Sequence, residues 1–134
     1  IVPFHIGTLL APGPTARRCY KLGQHIRQFI TNQYEGKVAV LVSGSIYSDV
    51  GGPTMGWVDT AFEKDFLELV KAGNVDEFAR RVTPENLNKA GASNELLAWV
   101  TLLGVLGPVK ASYTEYLWSH GWSSGAASLV AWNP

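Results

Sequence analysis

Two apolar, β-branched runs separated by one amphipathic helix most narrow the folds open to this chain. Residues 1–11, IVPFHIGTLLA, and residues 37–44, KVAVLVSG, both read as strands. Pro3 stands near the start of the first, where a missing N–H is tolerated. Between the runs, PGP at 12–14 breaks the chain and Thr15 is placed to cap a helix. Cys19, Leu22, Ile26, Phe29 and Ile30 then recur at spacings of three and four, which makes one apolar face. With a whole helix intervening, the two runs predict a right-handed β-α-β unit instead of a hairpin.

Beyond residue 44 the chain turns into a long loop, 45–58, with several glycines and a proline. Thr60 and Glu63 have capping-box spacing and predict the start of a helix that carries Phe62, Phe66, Leu69 and Val70 and ends at Gly73. Asn74 and Glu77 repeat the device for a short helix through Val82, and Thr83-Pro84 opens another. Ser93 is expected to cap a helix containing Leu96, Trp99, Val100 and Leu103, stopped by Gly104 or by Gly107-Pro108. KASYTEYLW at 110–118 alternates like a half-buried strand, GWSSG is a turn, and AASLVAW at 126–132 is a last strand. There is no internal repeat and no low-complexity linker. The expected architecture is a single α/β domain over 1–134, a mixed sheet of about four strands flanked by helices.

Charge and cysteine content exclude several function classes. Eleven basic residues balance eleven acidic ones, so no basic footprint for nucleic acid is present. Charged residues are 16% of the chain and apolar ones 46%, which favours a chain with much of its surface buried, including against a partner. One cysteine, Cys19, allows no internal disulfide, and a reducing, cytoplasmic location is the expectation. Cys19 itself reads as a small hydrophobe on the helix face. No run is long and apolar enough to span a membrane. The sole methionine is Met55, so the chain is expected to begin inside a longer product or to be processed.

Three stretches carry candidate chemistry. In KAGASNELLAW, Glu95 falls in the first turn after the expected Ser93 cap, where the helix dipole favours a carboxylate. Its plain reading is a capping glutamate. Its sharper reading is a metal ligand held at a helix start, although one carboxylate cannot make a metal site. In VLVSGSIYSDVGG, a strand breaks into a loop offering Tyr47, Ser48 and Asp49 where an α/β protein usually places reactive side chains. GPTARRCYKLGQHIRQFI is an amphipathic helix after a turn, and periodicity says no more.

Taken together, RRCYKLGQHIR, VLVSGSIYSDVGGPTMGWVDTAFEKDFLELV, AGASNELLAW and SSGAAS resemble, in order and spacing, the C-terminal half of the catalytic β subunit of class III extradiol ring-cleavage dioxygenases of the protocatechuate 4,5-dioxygenase type. The resemblance covers nearly the whole chain. It implies an α/β fold that is half of a larger dioxygenase-type domain. It implies non-haem Fe(II) held by two histidines and one glutamate, a facial triad whose open positions accept a catecholate and O₂. The glutamate matches Glu95. The two histidine ligands belong to the family's N-terminal half, so this chain alone is expected to hold no iron and to need an N-terminal portion or partner subunit. Ser123 and Ser124 match the substrate loop. The family's acid–base histidine falls on Ser48, and a serine hydroxyl does not titrate near neutral pH.

The histidines and tryptophans of the chain read as follows. His5 on the first expected strand reads as an interior or second-face histidine, and His25 as a surface residue of the first helix. His120, in WSHGWSSG beside the substrate loop, is a weak catalytic candidate. Trp57, Trp99, Trp118, Trp122 and Trp132 read as core or interface, with Trp122 also a pocket-lining candidate. The function expected from the resemblance is one part of an Fe(II)-dependent extradiol dioxygenase, opening a catechol-type aromatic such as protocatechuate, in an oligomer. The alternative is a structural or regulatory subunit that has lost the acid–base group and the iron. A third reading is an aromatic-binding module without turnover.

Overall fold

The structure is a computed structural model of the 134-residue chain. It describes every residue except 9, 48–52, 54, 56, 58, 119–125, 133 and 134, and for 118 and 126–129 it describes the backbone. Among the described residues five helices come first and a two-stranded sheet last: α1 Ala16–Gln33, α2 Thr60–Ala72, α3 Val75–Arg81, α4 Pro84–Ala90, α5 Leu96–Leu106, β1 Tyr113–Trp118 and β2 Ala126–Ala131. The strands are antiparallel, with Tyr113 opposite Ala131 and Trp118 opposite Ala126.

The helix starts follow local polar chemistry. Thr15, Asn74 and Thr83 cap α1, α3 and α4, their side-chain oxygens accepting the N–H of Arg18, Glu77 and Asn86. For α2 the cap is Asp59, whose carboxylate takes the Phe62 N–H at 2.9 Å, so Thr60 is the first helical residue and the expected Thr60–Glu63 capping box does not form. Gly73 and Gly91, with φ near +68° and +64°, end α2 and α4 in the left-handed conformation.

The core is built on α5, which is apolar nearly all round and is buried as such a helix must be. Leu96, Val100 and Leu103 are fully buried, each contributing about 1.5–3 kcal/mol of transfer free energy. Phe66 of α2 and Phe78 of α3 pack ring to ring, centroids 4.1 Å apart, and Phe66 meets Trp99 edge-on at 6.2 Å. Helix α1 crosses α5 at two glycines. A Cβ on Gly23 would lie 2.0 Å from the Thr101 carbonyl, and one on Gly104 2.3 Å from the Tyr20 carbonyl. Gly104 therefore lies inside α5 as a contact point, and the helix stops at Gly107.

Several expectations are corrected here. Residues 1–8 and 37–44 carry no regular secondary structure and enter no sheet, and among the described residues the one sheet is the β1–β2 pair, antiparallel instead of mixed. Among the described residues, 1–8 and 36–43 also make no backbone–backbone hydrogen bond. β-branched apolar sequence favours extended backbone, yet a ladder also needs a neighbouring strand. His5 is exposed, not interior, for the same reason. On α1, Cys19 is buried but Phe29 is 64% exposed, because the helix turns its Ala16–Cys19–Gly23 edge, not the centre of its apolar stripe, toward α5. His25 is exposed, as expected of a surface residue. Trp99 lies in the core, Trp132 packs against it half-buried, and Trp57 is exposed.

Candidate functional site

Glu95 stands at the N-cap of α5 with helical backbone angles, and its side chain makes no cap hydrogen bond to its own helix. That corrects the plain reading of a capping glutamate. Ser93 does not cap α5 in the ordinary way either. Its Oγ accepts the Glu95 N–H at 3.1 Å and its carbonyl accepts the Leu96 N–H at 3.2 Å, so it shapes the turn that delivers Glu95 to the helix start.

The Glu95 carboxylate reaches across the fold. Its Oε2 accepts the backbone N–H of Ser45 at 2.6 Å, fifty residues earlier in the chain. Three further contacts seat the same loop. The Trp99 indole N–H donates to the Gly44 carbonyl at 3.1 Å, and the Ser93 N–H donates to the Ile46 carbonyl at 2.7 Å. Tyr47 pairs with Ala92 in an isolated antiparallel bridge. The Ser45 hydroxyl donates to the Tyr47 carbonyl, tightening the turn from inside. Gly44 sits close against Glu95: a Cβ there would lie 3.1 Å from the Glu95 carbonyl and 3.2 Å from the Glu95 Cβ, tight enough that the neighbour would have to give by a few tenths of an ångström.

Residues 44–47, the end of the VLVSGSIY run, are thus clamped onto the 92–99 segment. Glu95 is half-buried there, at the positive end of α5, with one carboxylate oxygen held by a backbone donor. An ionised acceptor on a backbone N–H makes one of the stronger protein hydrogen bonds, and it fixes the direction in which the carboxylate points. Nothing in the local sequence marks Ser45 as its partner. The usable signal was the small pair Gly44-Ser45 at the end of an apolar run.

The other candidate residues, Ser48, His120, Ser123 and Ser124, lie outside the described residues, as does Trp122. Topology still orders them: Ser48 follows the clamped 44–47 segment directly, and residues 119–125 join β1 to β2. A metal centre needs at least three converging donors. Among the described residues no group of three His, Cys, Asp or Glu side chains comes together, so Glu95 is a single candidate donor and the described residues do not by themselves fit an iron ion.

A fully buried carboxylate elsewhere was not anticipated. Glu63, expected to serve in a capping box, is 3% exposed on α2. Its Oε2 accepts the Tyr116 hydroxyl of β1 at 2.5 Å. Burial pushes the Glu63 carboxyl up and the tyrosine hydrogen bond opposes that, with a net rise; burial and the facing carboxylate raise the Tyr116 phenol. A glutamate one position after Phe62 in a helical repeat of Phe62, Phe66, Leu69 and Val70 falls beside the apolar stripe, which was the available signal.

Among the described residues no helix is long and apolar enough to cross a membrane. The family model described as "Catalytic LigB subunit of aromatic ring-opening dioxygenase" matches residues 1–130. A gallate dioxygenase of Pseudomonas putida (strain KT2440) is 33% identical over 108 residues, which cover 79% of this chain and 32% of that relative. The chain spans about a third of the length of the relative it matches.

Proposed function

This chain belongs to the LigB family of aromatic ring-opening dioxygenase catalytic subunits, and from that premise we propose that it is the glutamate-bearing part of an extradiol dioxygenase that opens a catechol-type aromatic, such as protocatechuate or gallate, with O₂. The observation that carries this reading is the Glu95–Ser45 hydrogen bond. A glutamate that served only its own helix would turn back to the α5 N–H groups. This one is oriented from outside the helix by the loop that leads into Ser48.

In the proposed enzyme Glu95 is one of three ligands to Fe(II), which supplies the site for catecholate and O₂ when bound. The two histidine ligands come from an N-terminal portion or a partner subunit. Segments 1–8 and 37–43, rich in β-branched and apolar residues yet in no sheet among the described residues, support this half-domain reading: they have the composition of strands of a sheet completed by other polypeptide. Ser123 and Ser124 contact the substrate, and His120 beside them is a candidate proton carrier.

A second reading is favoured by one residue. With Ser48 at the position of the family's acid–base histidine, the chain fits a subunit that keeps the fold and pairing surface without turnover. Oxygen uptake separates the two. The complete assembly containing this chain, loaded anaerobically with Fe(II), is given protocatechuate or gallate and then air. Stoichiometric O₂ consumption with a ring-opened product, abolished by Glu95→Ala, is expected. An iron-replete assembly that consumes no O₂ points to the second reading, and turnover unaffected by Glu95→Ala rejects the role of Glu95.

A further inference from the structure

Glu95 at the N-cap of α5 and Trp99 one turn along lie on the same side of the helix. Between them they hold the two ends of one peptide group. The Gly44 carbonyl accepts the Trp99 indole N–H at 3.1 Å, and the Ser45 N–H of that same peptide donates to Glu95 Oε2 at 2.6 Å. The seating is close, since a Cβ on Gly44 would lie 3.2 Å from the Glu95 Cβ and 3.4 Å from the Trp99 indole nitrogen.

A peptide group is conjugated, so its oxygen and its N–H respond to each other. A donor on the oxygen draws charge from the nitrogen and makes the N–H a better donor, by about 10–30% per bond in a chain of hydrogen bonds. The donor here is itself held. Trp99 is 8% exposed, and Phe66, packed on Phe78 at 4.1 Å, meets it edge-on at 6.2 Å. We infer that Trp99 is a positioning residue for Glu95: its indole N–H, acting through the Gly44–Ser45 peptide, strengthens and directs the hydrogen bond that orients the carboxylate. The consequence for turnover rests on the proposed dioxygenase reading of Glu95.

The peptide can be watched at both ends. Gly-Ser occurs once in this sequence, so nuclear magnetic resonance of the complete assembly, isotope-labelled at glycine carbonyls and serine nitrogens, reports it, and loss of the signal in Ser45→Ala assigns it. Trp99→Phe keeps an aromatic ring against Phe66 and removes the N–H. Its expected result is an upfield move of the Gly44 carbonyl carbon together with an upfield move of the Ser45 amide proton, and about tenfold faster exchange of that amide. Phe66→Leu takes away ring packing and keeps the indole N–H, and both signals should stay in place. Glu95→Gln works from the other end and is expected to move both signals. It carries the test where Trp99→Phe does not fold, and a Gly44 carbonyl unmoved by it overturns the inference. A carbonyl that moves in Trp99→Phe while the Ser45 proton stays also overturns it, because Trp99 then only seats the loop. So does a Phe66→Leu that moves the Ser45 proton as far. In turnover of protocatechuate by the same assembly, Trp99→Phe is expected to lower kcat about tenfold with KM within about twofold, and an unchanged kcat rejects the positioning role. A parent assembly that does not turn over counts against the dioxygenase reading, and the two signals then decide the coupling by themselves.

Discussion

Glu95 and Ser45 are joined by a 2.6 Å hydrogen bond from a backbone N–H to a half-buried carboxylate, across fifty residues of sequence. The bond ties the start of the most buried helix to the end of the apolar 37–44 run. It orients a negative charge at the same time. Stability and the proposed chemistry therefore meet in one side chain, and substitutions there separate them.

Glu95→Ala removes the acceptor and leaves the Ser45 N–H unpaired, and it is expected to cost about 1.5–3 kcal/mol. Glu95→Gln retains a neutral acceptor and should cost less than the alanine variant. Urea unfolding monitored by far-UV circular dichroism checks the order, with the midpoint shifting and the slope unchanged. If Glu95 ligates Fe(II) as proposed, ring-opening activity in the complete assembly is expected to be lost in both variants, because an amide is a poor substitute for a carboxylate on the metal ion.

The α1–α5 crossing predicts the reverse of helix propensity. Ala is about 1 kcal/mol better than Gly inside a helix. At Gly23 and Gly104, however, the added Cβ would lie 2.0 and 2.3 Å from backbone carbonyl oxygens that cannot rotate away. Overpacking dominates, so Gly23→Ala and Gly104→Ala are each expected to destabilise by about 3 kcal/mol. Thermal unfolding of the single variants gives the test, and a rise in Tm for either one contradicts the crossing.

Stability should respond to pH with opposite signs at two glutamates. The folded pKa of Glu63 is raised, chiefly by burial. Its contribution is fully present below the ordinary carboxylate pKa and is lost as pH rises through the raised folded value. The folded pKa of Glu77 is lowered by hydrogen bonds from Arg80 and then Arg81. Its contribution is present above the ordinary carboxylate pKa and is lost as pH falls through the lowered value. Glu63→Gln is expected to flatten the loss of stability on the rising side, and Glu77→Gln the loss on the acid side. Denaturant midpoints measured across the acid range distinguish them, and an unchanged profile in Glu63→Gln rules out a titrating carboxyl at that site.

Ser48 governs the rate if the chain works in a dioxygenase. A positioned acid–base group is worth about a hundredfold to ten-thousandfold. The assembly with Ser48 should therefore turn over slowly, and Ser48→His should recover part of that factor, read as initial O₂ uptake. Ordinary enzymatic rates in the unmodified assembly, insensitive to single changes at Tyr47, Ser48, Asp49 and His120, would falsify the assignment.

What the sequence determined by itself was largely local. The caps at Thr15, Asn74 and Thr83, the stops at Gly73 and Gly107, and the alternation that became β1 and β2 are decided by groups within a few residues of one another. Family membership was legible too, since RRCYKLGQHIR and AGASNELLAW need only be read in order. What the tertiary structure decided depends on partners distant along the chain. Val40 and Leu41 have strand character, but a strand exists only where another supplies the ladder, and none does among the described residues. Leu22 through Ile30 form a periodic stripe, yet the contact of α1 with α5 follows Gly23 and Gly104, because two backbones approach most closely where neither carries a Cβ. Glu63 had the spacing of a cap and became a buried partner of Tyr116, and Glu95 had the place of a cap and became the anchor of Ser45. A carboxylate satisfies whichever donor the folded chain brings within reach, and at both positions that donor came from about fifty residues away.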